Sequence, residues 1–313
     1  MNILGQLHEF LCTDRTQIIN FASTAPYRYK VYQIPKRNST LKRTIAHPSK
    51  ELKFIQRLLI RILEPSLSIH ECAFAYRSGI GIKDNAKEHM HSKYLLKMDF
   101  KNFFQSITPD LFFHLLDQKG FDISETDKTL LTGLLFWRPK RRGGLVLSIG
   151  APTSPMISNF IMNEFDQFIN QECNQRSITY TRYADDITFS TLEKGALFSI
   201  PELVKKVLHE TSDGKILINR DKTVFSSRAH NRHVTGITIT NDMKLSIGRN
   251  KKRLISSMIH KHSHHLLSKE DFFKLKGLLS YARHIEPLFY SRMKSKYSHE
   301  LLEEIKCGNP DLP

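Results

Sequence analysis

Cysteine is scarce and scattered: Cys12, Cys72, Cys173 and Cys307 are the only four in 313 residues, and no two form a Cys-x-x-Cys pair. That spacing argues against a disulfide framework or a zinc site and suits free thiols in a reducing compartment. No apolar run reaches membrane-spanning length and no signal peptide precedes the first amphipathic segment. The expectation is a soluble, cytoplasmic protein with no membrane partner. Internal repeats and low-complexity tracts are missing too. Acids are the other shortage, 31 Asp and Glu against 47 Lys and Arg, a net charge of +16. A surface that basic favours a polyanion, and nucleic acid is the commonest one. The length suits two domains, or one domain with lobes.

What is present centres on residues 178–190. Two β-prone runs, Ile178–Tyr183 and Ile187–Ser190, flank a short turn at Ala184-Asp185-Asp186, which describes a hairpin with adjacent carboxylates at its tip. Upstream, Lys93 to Phe100 is a near-continuous apolar run that reads as a strand buried on both faces. It ends in Asp99, and a carboxylate at the end of a buried strand needs a partner or a metal.

The rest of the chain frames these two segments. Residues 4–23 read as short helices, with Asp14 and Gln17 in the spacing of a capping box. Tyr27 to Ile34 alternates as a strand with one basic face, Pro35 to Ser39 is its turn, and Leu41–Ala46 the returning strand. Pro48-Ser49 starts a helix with a buried stripe of Leu52, Ile55, Leu59 and Ile62. Between Arg28 and Arg61 the only carboxylate is Glu51, a charge density that suits phosphate contacts. Asn85 and His89 stand at i,i+4 on a helix, where they can bond each other or a carbonyl. Thr108-Pro109 and Ser124 open two further helices, the first stopping near Gly120. Arg138 to Gly144 is a basic loop. Gly150 to Pro155 turns into a long helix with Ile157, Ile161, Phe165 and Phe168 inward. Leu203 to Leu208 is helical, Lys215–Asn219 and His233 to Thr240 are strands, the latter interrupted by Gly236. Beyond residue 241 the chain is helical and basic. His260, His262, His264 and His265 sit there among lysines without a cysteine, and read as part of a phosphate-tracking helix rather than a metal site.

Strand addition by phosphoryl transfer uses two divalent cations, one at the 3′-hydroxyl and one at the triphosphate. Asp99, Asp185 and Asp186 would supply oxygen ligands for magnesium, and crowding three carboxylates makes sense only around cations. Asp99 and Asp185 are the expected bridging ligands, and Asp186 a weaker ligand or a support.

Four segments, Asp99-Phe-Lys-Asn-Phe-Phe104, Gly150-Ala-Pro-Thr-Ser-Pro155, Tyr183-Ala-Asp-Asp186 and Asn219-Arg-Asp-Lys-Thr223, resemble in order the motifs of reverse transcriptases. Asn85-Ala-Lys-Glu-His89 and Val234-Thr-Gly236 are similar to two elements of the retron type of bacteria. The resemblance spans about residues 25–300. It implies an α+β right-hand polymerase: N-terminal helices and fingers over 1–93, a palm with an antiparallel sheet over 94–240 (with a fingers portion near 110–147), and a basic thumb over 241–313. It implies two magnesium ions, for which manganese can stand in, with the Phe100 carbonyl beside the three aspartates. Phe104 falls where the family excludes a ribose 2′-hydroxyl. Arg43, and less directly Lys42, match positions facing the triphosphate of a deoxynucleotide. Gly150 and Pro152 shape the floor beneath the templating pair, and Lys222 sits where a general acid for pyrophosphate is placed. RNA contact is expected from Asn85, His89, Val234, Thr235, Gly236, Arg249, Lys251, Lys252 and Arg253. One departure is Ile149, where the family often has Gln; it cannot make an amide's hydrogen bonds.

The implied reaction copies a dedicated structured noncoding RNA from a 2′-hydroxyl into branched RNA–DNA, in anti-phage defence with a separate effector protein. Two rivals stay open. One is a group II intron-like or diversity-generating reverse transcriptase. The other, from a different class, is a non-catalytic RNA-binding scaffold for an effector.

Overall fold

Helices α1 (Ile3–Leu11) and α2 (Arg15–Thr24) open the chain, the second capped by Asp14, whose carboxylate accepts from the Thr16 N–H. A computed structural model describes residues 2–35 and 42–308. Strands β1 (Tyr29–Pro35) and β2 (Lys42–Pro48) pair antiparallel. The turn expected between them lies outside the described residues. The alternation of Tyr27 to Ile34 does yield a strand but not a buried face: Val31, Tyr32 and Ile34 are all exposed. The hairpin is fastened at its base, where the Ala46 N–H donates to the Ile149 carbonyl (3.0 Å).

Helix α3 (Lys50–Leu63), capped by Ser49, buries Leu52, Ile55, Leu59 and Leu63, with Ile62 only half-buried. A short helix α4 (Ile82–Glu88) precedes β3 (Tyr94–Lys101), the central strand. After it come α5 (Phe103–Ser106), α6 (Pro109–Gln118, capped by Thr108) and α7 (Glu125–Leu135, capped by Ser124). The long helix expected after Pro155 is two: α8 (Ser154–Ile161) and α9 (Asn163–Asn174), parted at Met162. Ile157, Ile161, Phe165 and Ile169 are buried at four-residue spacing, and Phe168 falls off that stripe and is exposed.

Strands β4 (Thr179–Tyr183) and β5 (Asp186–Thr191) form the expected hairpin. Helix α10 (Ile200–Ser212) follows, then β6 (Leu217–Ile218), shorter than its sequence suggested, and β7 (Val224–Ser227). Together they make one antiparallel sheet in the order β4-β5-β3, with β6 and β7 pairing successive stretches of the far edge of β3. Alternation along β3 sends Leu96, Met98 and Phe100 into the main core, and Leu95, Lys97 and Asp99 to the opposite face.

The single strand expected over 233–240 is instead a tight hairpin, β8 (Arg232–Val234) and β9 (Ile237–Ile239), extended by β10 (Leu245–Ser246). Thr235 at φ +46° and Gly236 at φ +80° occupy its two turn positions. Two consecutive positive φ values are what a two-residue hairpin turn requires. Helices α11 (Arg249–Ser263), α12 (Lys269–Ile285), α13 (Pro287–Tyr297) and α14 (His299–Cys307) complete the chain. They build a second core with Val234, Ile237 and Ile239, separate from the first. All four cysteines are free. No helix among the described residues is long and apolar enough to cross a membrane.

Candidate active site

The β3–β5 register sets the three aspartates. Asp99 pairs directly with Asp186, and Tyr183 with Asp186 across the hairpin, leaving Ala184 and Asp185 as the turn. Side chains directly opposite in an antiparallel pair have Cβ atoms about 4.5–5.5 Å apart. The Phe100 N–H donates to the Asp185 carbonyl (3.0 Å), tying the turn to the central strand. Ala184 has φ +59°, a conformation normally left to glycine. Such backbone is strained by about 1–3 kcal/mol and persists only where its surroundings enforce it.

Those surroundings are polar and buried. Arg182 and Asp166 are fully buried and form a forked ion pair, Nη2 to Oδ2 at 2.6 Å and Nε to Oδ1 at 2.9 Å. The Tyr180 hydroxyl donates to the same carboxylate at 2.7 Å. The remaining guanidinium nitrogen, Nη1, donates to Asn159 Oδ1 (3.0 Å) and to the Ala184 carbonyl (3.2 Å). Arg182 therefore holds the strained turn from below. Asn159 in turn donates to the Ala75 carbonyl (3.0 Å), and the Phe74 N–H to that of Arg182 (2.8 Å), which docks residues 72–76 alongside β4.

Above the turn, charge is unbalanced. Asp99 is buried; its Oδ2 accepts from Lys222 Nζ at 2.7 Å, and Asn219 Nδ2 lies 3.4 Å from Oδ1. A short helical turn over Arg220–Lys222 delivers that lysine, whose own side chain is largely exposed. Desolvation and the charge of Asp99 raise the Asp185 carboxyl above the usual range. Asp186 is pushed up to about 6, by desolvation first and then by Asp185 and Asp99. A cleft of about 530 Å³ opens here, lined by Lys97, Asp99, Asp186, Lys222, Thr235 and Gly236. A larger one of about 840 Å³ lies between α10 and β6 and holds none of the three aspartates.

The donor set fits a hard divalent cation in kind: carboxylate oxygens crowded until their protons are held too tightly. It is not arranged for one as it stands. Among the described residues no three His, Cys, Asp or Glu side chains are placed to hold a metal ion together, and Lys222 caps Asp99.

Other expected residues divide. Arg43 is exposed on β2 with its charge bearing on both Asp185 and Tyr76, whereas Lys42 pairs with Pro35 at the hairpin's outer end. Phe104 is half-buried, edge-on to Phe103 at 5.5 Å. Gly150 has φ +130°, and a Cβ there would sit 3.0 Å from the Ala46 carbonyl oxygen, so glycine is needed where the β1–β2 hairpin meets the body. Pro152 follows in the same loop, half-buried.

The RNA set needs correction. Asn85, His89 and Val234 are interior. His89 is held between Ser190 Oγ and Thr181 Oγ1, both at 2.7 Å, and burial pushes its imidazole down to about 3. It is a neutral strut between α4 and the hairpin, closed to RNA. Thr235 and Gly236 do reach the cleft, Thr235 also donating to the Ile82 carbonyl (3.2 Å). Of the cations opening α11, Arg249 and Arg253 are exposed. Lys252 pairs with Glu286 at 2.6 Å, and Lys251 lies over the Tyr281 ring and donates to the Gly236 carbonyl at 3.2 Å. Sequence reasoning missed Asp166, Asn159, Arg182 and Tyr76. The one signal available was an arginine three residues before an aspartate pair, within a β-prone run.

The reverse transcriptase (RNA-dependent DNA polymerase) family model matches residues 34–239. The chain is 49% identical over 280 residues to the Retron Ec83 reverse transcriptase of Escherichia coli, covering 89% of each. It is 36% identical over 287 residues to the Retron Ec73 reverse transcriptase of Escherichia coli, covering 88% of this chain and 89% of that one. Among solved structures, a telomerase from Candida tropicalis in complex with a TWJ fragment of telomeric RNA superposes with a TM-score of 0.50 at 13% identity. The match covers 89% of this chain and 56% of that one, so the chain spans little more than half its length.

Proposed function

Since this chain belongs to the retron-type reverse transcriptases, RNA-directed DNA polymerases of the right-hand fold, we propose that it copies a dedicated structured noncoding RNA from a 2′-hydroxyl into branched RNA–DNA. In this reading Asp99 and Asp185 would hold magnesium, with Asp186 and the Phe100 carbonyl in support. When bound, such ions activate the attacking hydroxyl and neutralise charge on the triphosphate. The observation that carries the reading is the register that sets Asp99 against Asp186 with Asp185 at the strained turn.

The chain's own residues take the other parts. Lys222, bonded to Asp99, would serve as general acid toward the departing pyrophosphate. Arg43, on a hairpin anchored through Gly150, reaches toward the triphosphate, and Phe104 closes the space a 2′-hydroxyl would need. We read residues 1–93 as N-terminal helices and fingers, 94–240 as palm with a fingers portion near 110–147, and 241–313 as thumb, with the β8–β9 hairpin as the seam. Arg249 and Arg253 contact RNA backbone, and Thr235 and Gly236 the strand entering the cleft. The work is done in the cytoplasm, in anti-phage defence alongside a separate effector protein. Coexpression with the adjacent noncoding RNA tests the core of this. The expected product is DNA joined to RNA through a 2′-5′ bond and released by a debranching enzyme; a wholly linear product on any annealed template would refute it.

A further inference from the structure

A second group of buried cations has no part in that reaction. Strand β7 pairs Ser226 with Leu95, and Leu95, Lys97 and Asp99 share one face of β3. Ser226 therefore lies on the face that carries the aspartates, four residues back along β3, about 13 Å away. Just past β7 stands Arg228, and Arg232 opens β8.

Arg232 is 1% exposed. Its two terminal nitrogens donate to the carbonyls of Ser92 and Thr240, and its Nε has no acceptor. Arg228 is half-buried, and its Nε and Nη2 are covered and equally without an acceptor, as is Ser226 Oγ. The two guanidiniums feel each other: burial first, then the Arg228 charge, lowers Arg232 from its ordinary value, and no acid enters the balance. This is the reverse of Arg182, where every buried nitrogen meets an oxygen. Buried donors and like charges left this way are costly unless an acceptor arrives. A phosphate suits them best. It accepts through several tetrahedrally placed oxygens, donates little, and is a preferred partner of guanidinium groups.

Beside Ser226 opens a cavity of about 220 Å³, lined also by Tyr94, Phe198, Phe225 and His230. Phe198 is 73% exposed and Phe225 44%, their ring centroids 5.4 Å apart. Neither arginine lines this cavity, but exposed aromatic rings at the same sheet edge are surfaces on which nucleic-acid bases can stack.

We propose that Ser226, Arg228 and Arg232 form a phosphate-binding site on the palm edge, distinct from the aspartate cluster, whose usual occupant is a backbone phosphate of bound nucleic acid. The occupant rests on the RNA-copying reading; the phosphate chemistry does not. Because the donors are covered as the chain stands, binding turns the half-buried Arg228 side chain outward while Arg232 stays fixed by its two carbonyls.

The test compares wild type with Arg228→Gln. Melting temperature is followed as inorganic phosphate replaces chloride at constant ionic strength. Phosphate should raise the wild-type melting temperature by several degrees and leave the variant unmoved. In chloride alone the variant should melt no lower than wild type, since it has lost a buried like charge. The second arm is the salt dependence of RNA affinity, whose log–log slope should be shallower in the variant by about 0.7–0.9, the value of one phosphate contact. A phosphate response with equal slopes assigns the site to a free phosphate; a shallower slope assigns it to the backbone. Equal wild-type melting in phosphate and chloride together with equal slopes overturns the site. Primer extension by the wild type on an annealed template is measured alongside and reports on the polymerase reading alone, so failure here is separable from failure of that reading.

Discussion

Beneath the Ala184–Asp185 turn, Arg182 and Asp166 are fully buried and fully matched; above it, Asp99, Asp185 and Asp186 share, among the described residues, Lys222 alone as a bonded cation. The two regions meet at one backbone carbonyl, yet they treat charge in opposite ways. A matched buried pair fixes geometry, because removing either half strands the other in a medium that cannot solvate it. An unmatched cluster stores repulsion, and the protein tolerates that only where something else is to bind. The lower region is thus read as scaffold and the upper as machinery. The distinction is testable because the two should respond to mutation with opposite signs of stability.

The largest effect belongs below. Asp166→Asn leaves the Arg182 charge unpaired and should cost about 3–5 kcal/mol of stability by chemical denaturation, together with loss of DNA synthesis. Replacing both partners by apolar residues, Arg182→Met with Asp166→Leu, should restore most of the stability but not the synthesis, since the Ala184 carbonyl loses its donor. Recovery of full activity in the double variant would break the claim that Arg182 positions the turn.

A smaller effect is expected beside the cluster. Phe104→Ala removes bulk from a half-buried ring and should relax the preference for deoxy- over ribonucleotides by about 10–200-fold, with little change in stability. Competitive incorporation of matched nucleotides measures it; an unchanged ratio places the gate elsewhere.

The smallest is a pH effect above the turn. The Asp186 carboxyl, pushed up to about 6 from an ordinary 3.8, holds its proton more tightly folded than unfolded. It therefore contributes stability below about pH 4 that drains away as pH rises to about 6 and stays lost above. In metal-free buffer, Asp186→Asn should match wild-type melting near pH 4 and exceed it above pH 6. A difference independent of pH would mean that the carboxyl is not perturbed.

The comparison also explains what was legible in the sequence. The aspartates were, because they stand within a few residues of each other or at the end of an apolar strand, where a charge is out of place. The β4–β5 hairpin was legible through its two β-prone runs and the tight turn, and the rest of the antiparallel sheet only through the family resemblance. Asp166 was not: it sits on an amphipathic helix among Glu164, Gln167 and Glu172, and only the packing of α9 on β4 turns it inward to Arg182. His89 misled for a similar reason. A polar residue at helical spacing looks like surface until the sheet face that covers it is known. The exposed β1 shows the converse, since alternation specifies a strand but not what covers it. Lys251 and Lys252 read as free charge because their partners, Tyr281 and Glu286, lie some thirty residues further on.

The most direct test of the central claim is to remove one charge from the upper region without changing its shape. Asp185→Asn should abolish RNA-templated primer extension while RNA affinity holds and melting temperature in metal-free buffer rises, since desolvation and repulsion by Asp99 are both relieved. Primer extension near the wild-type rate by a folded Asp185→Asn protein would contradict the account.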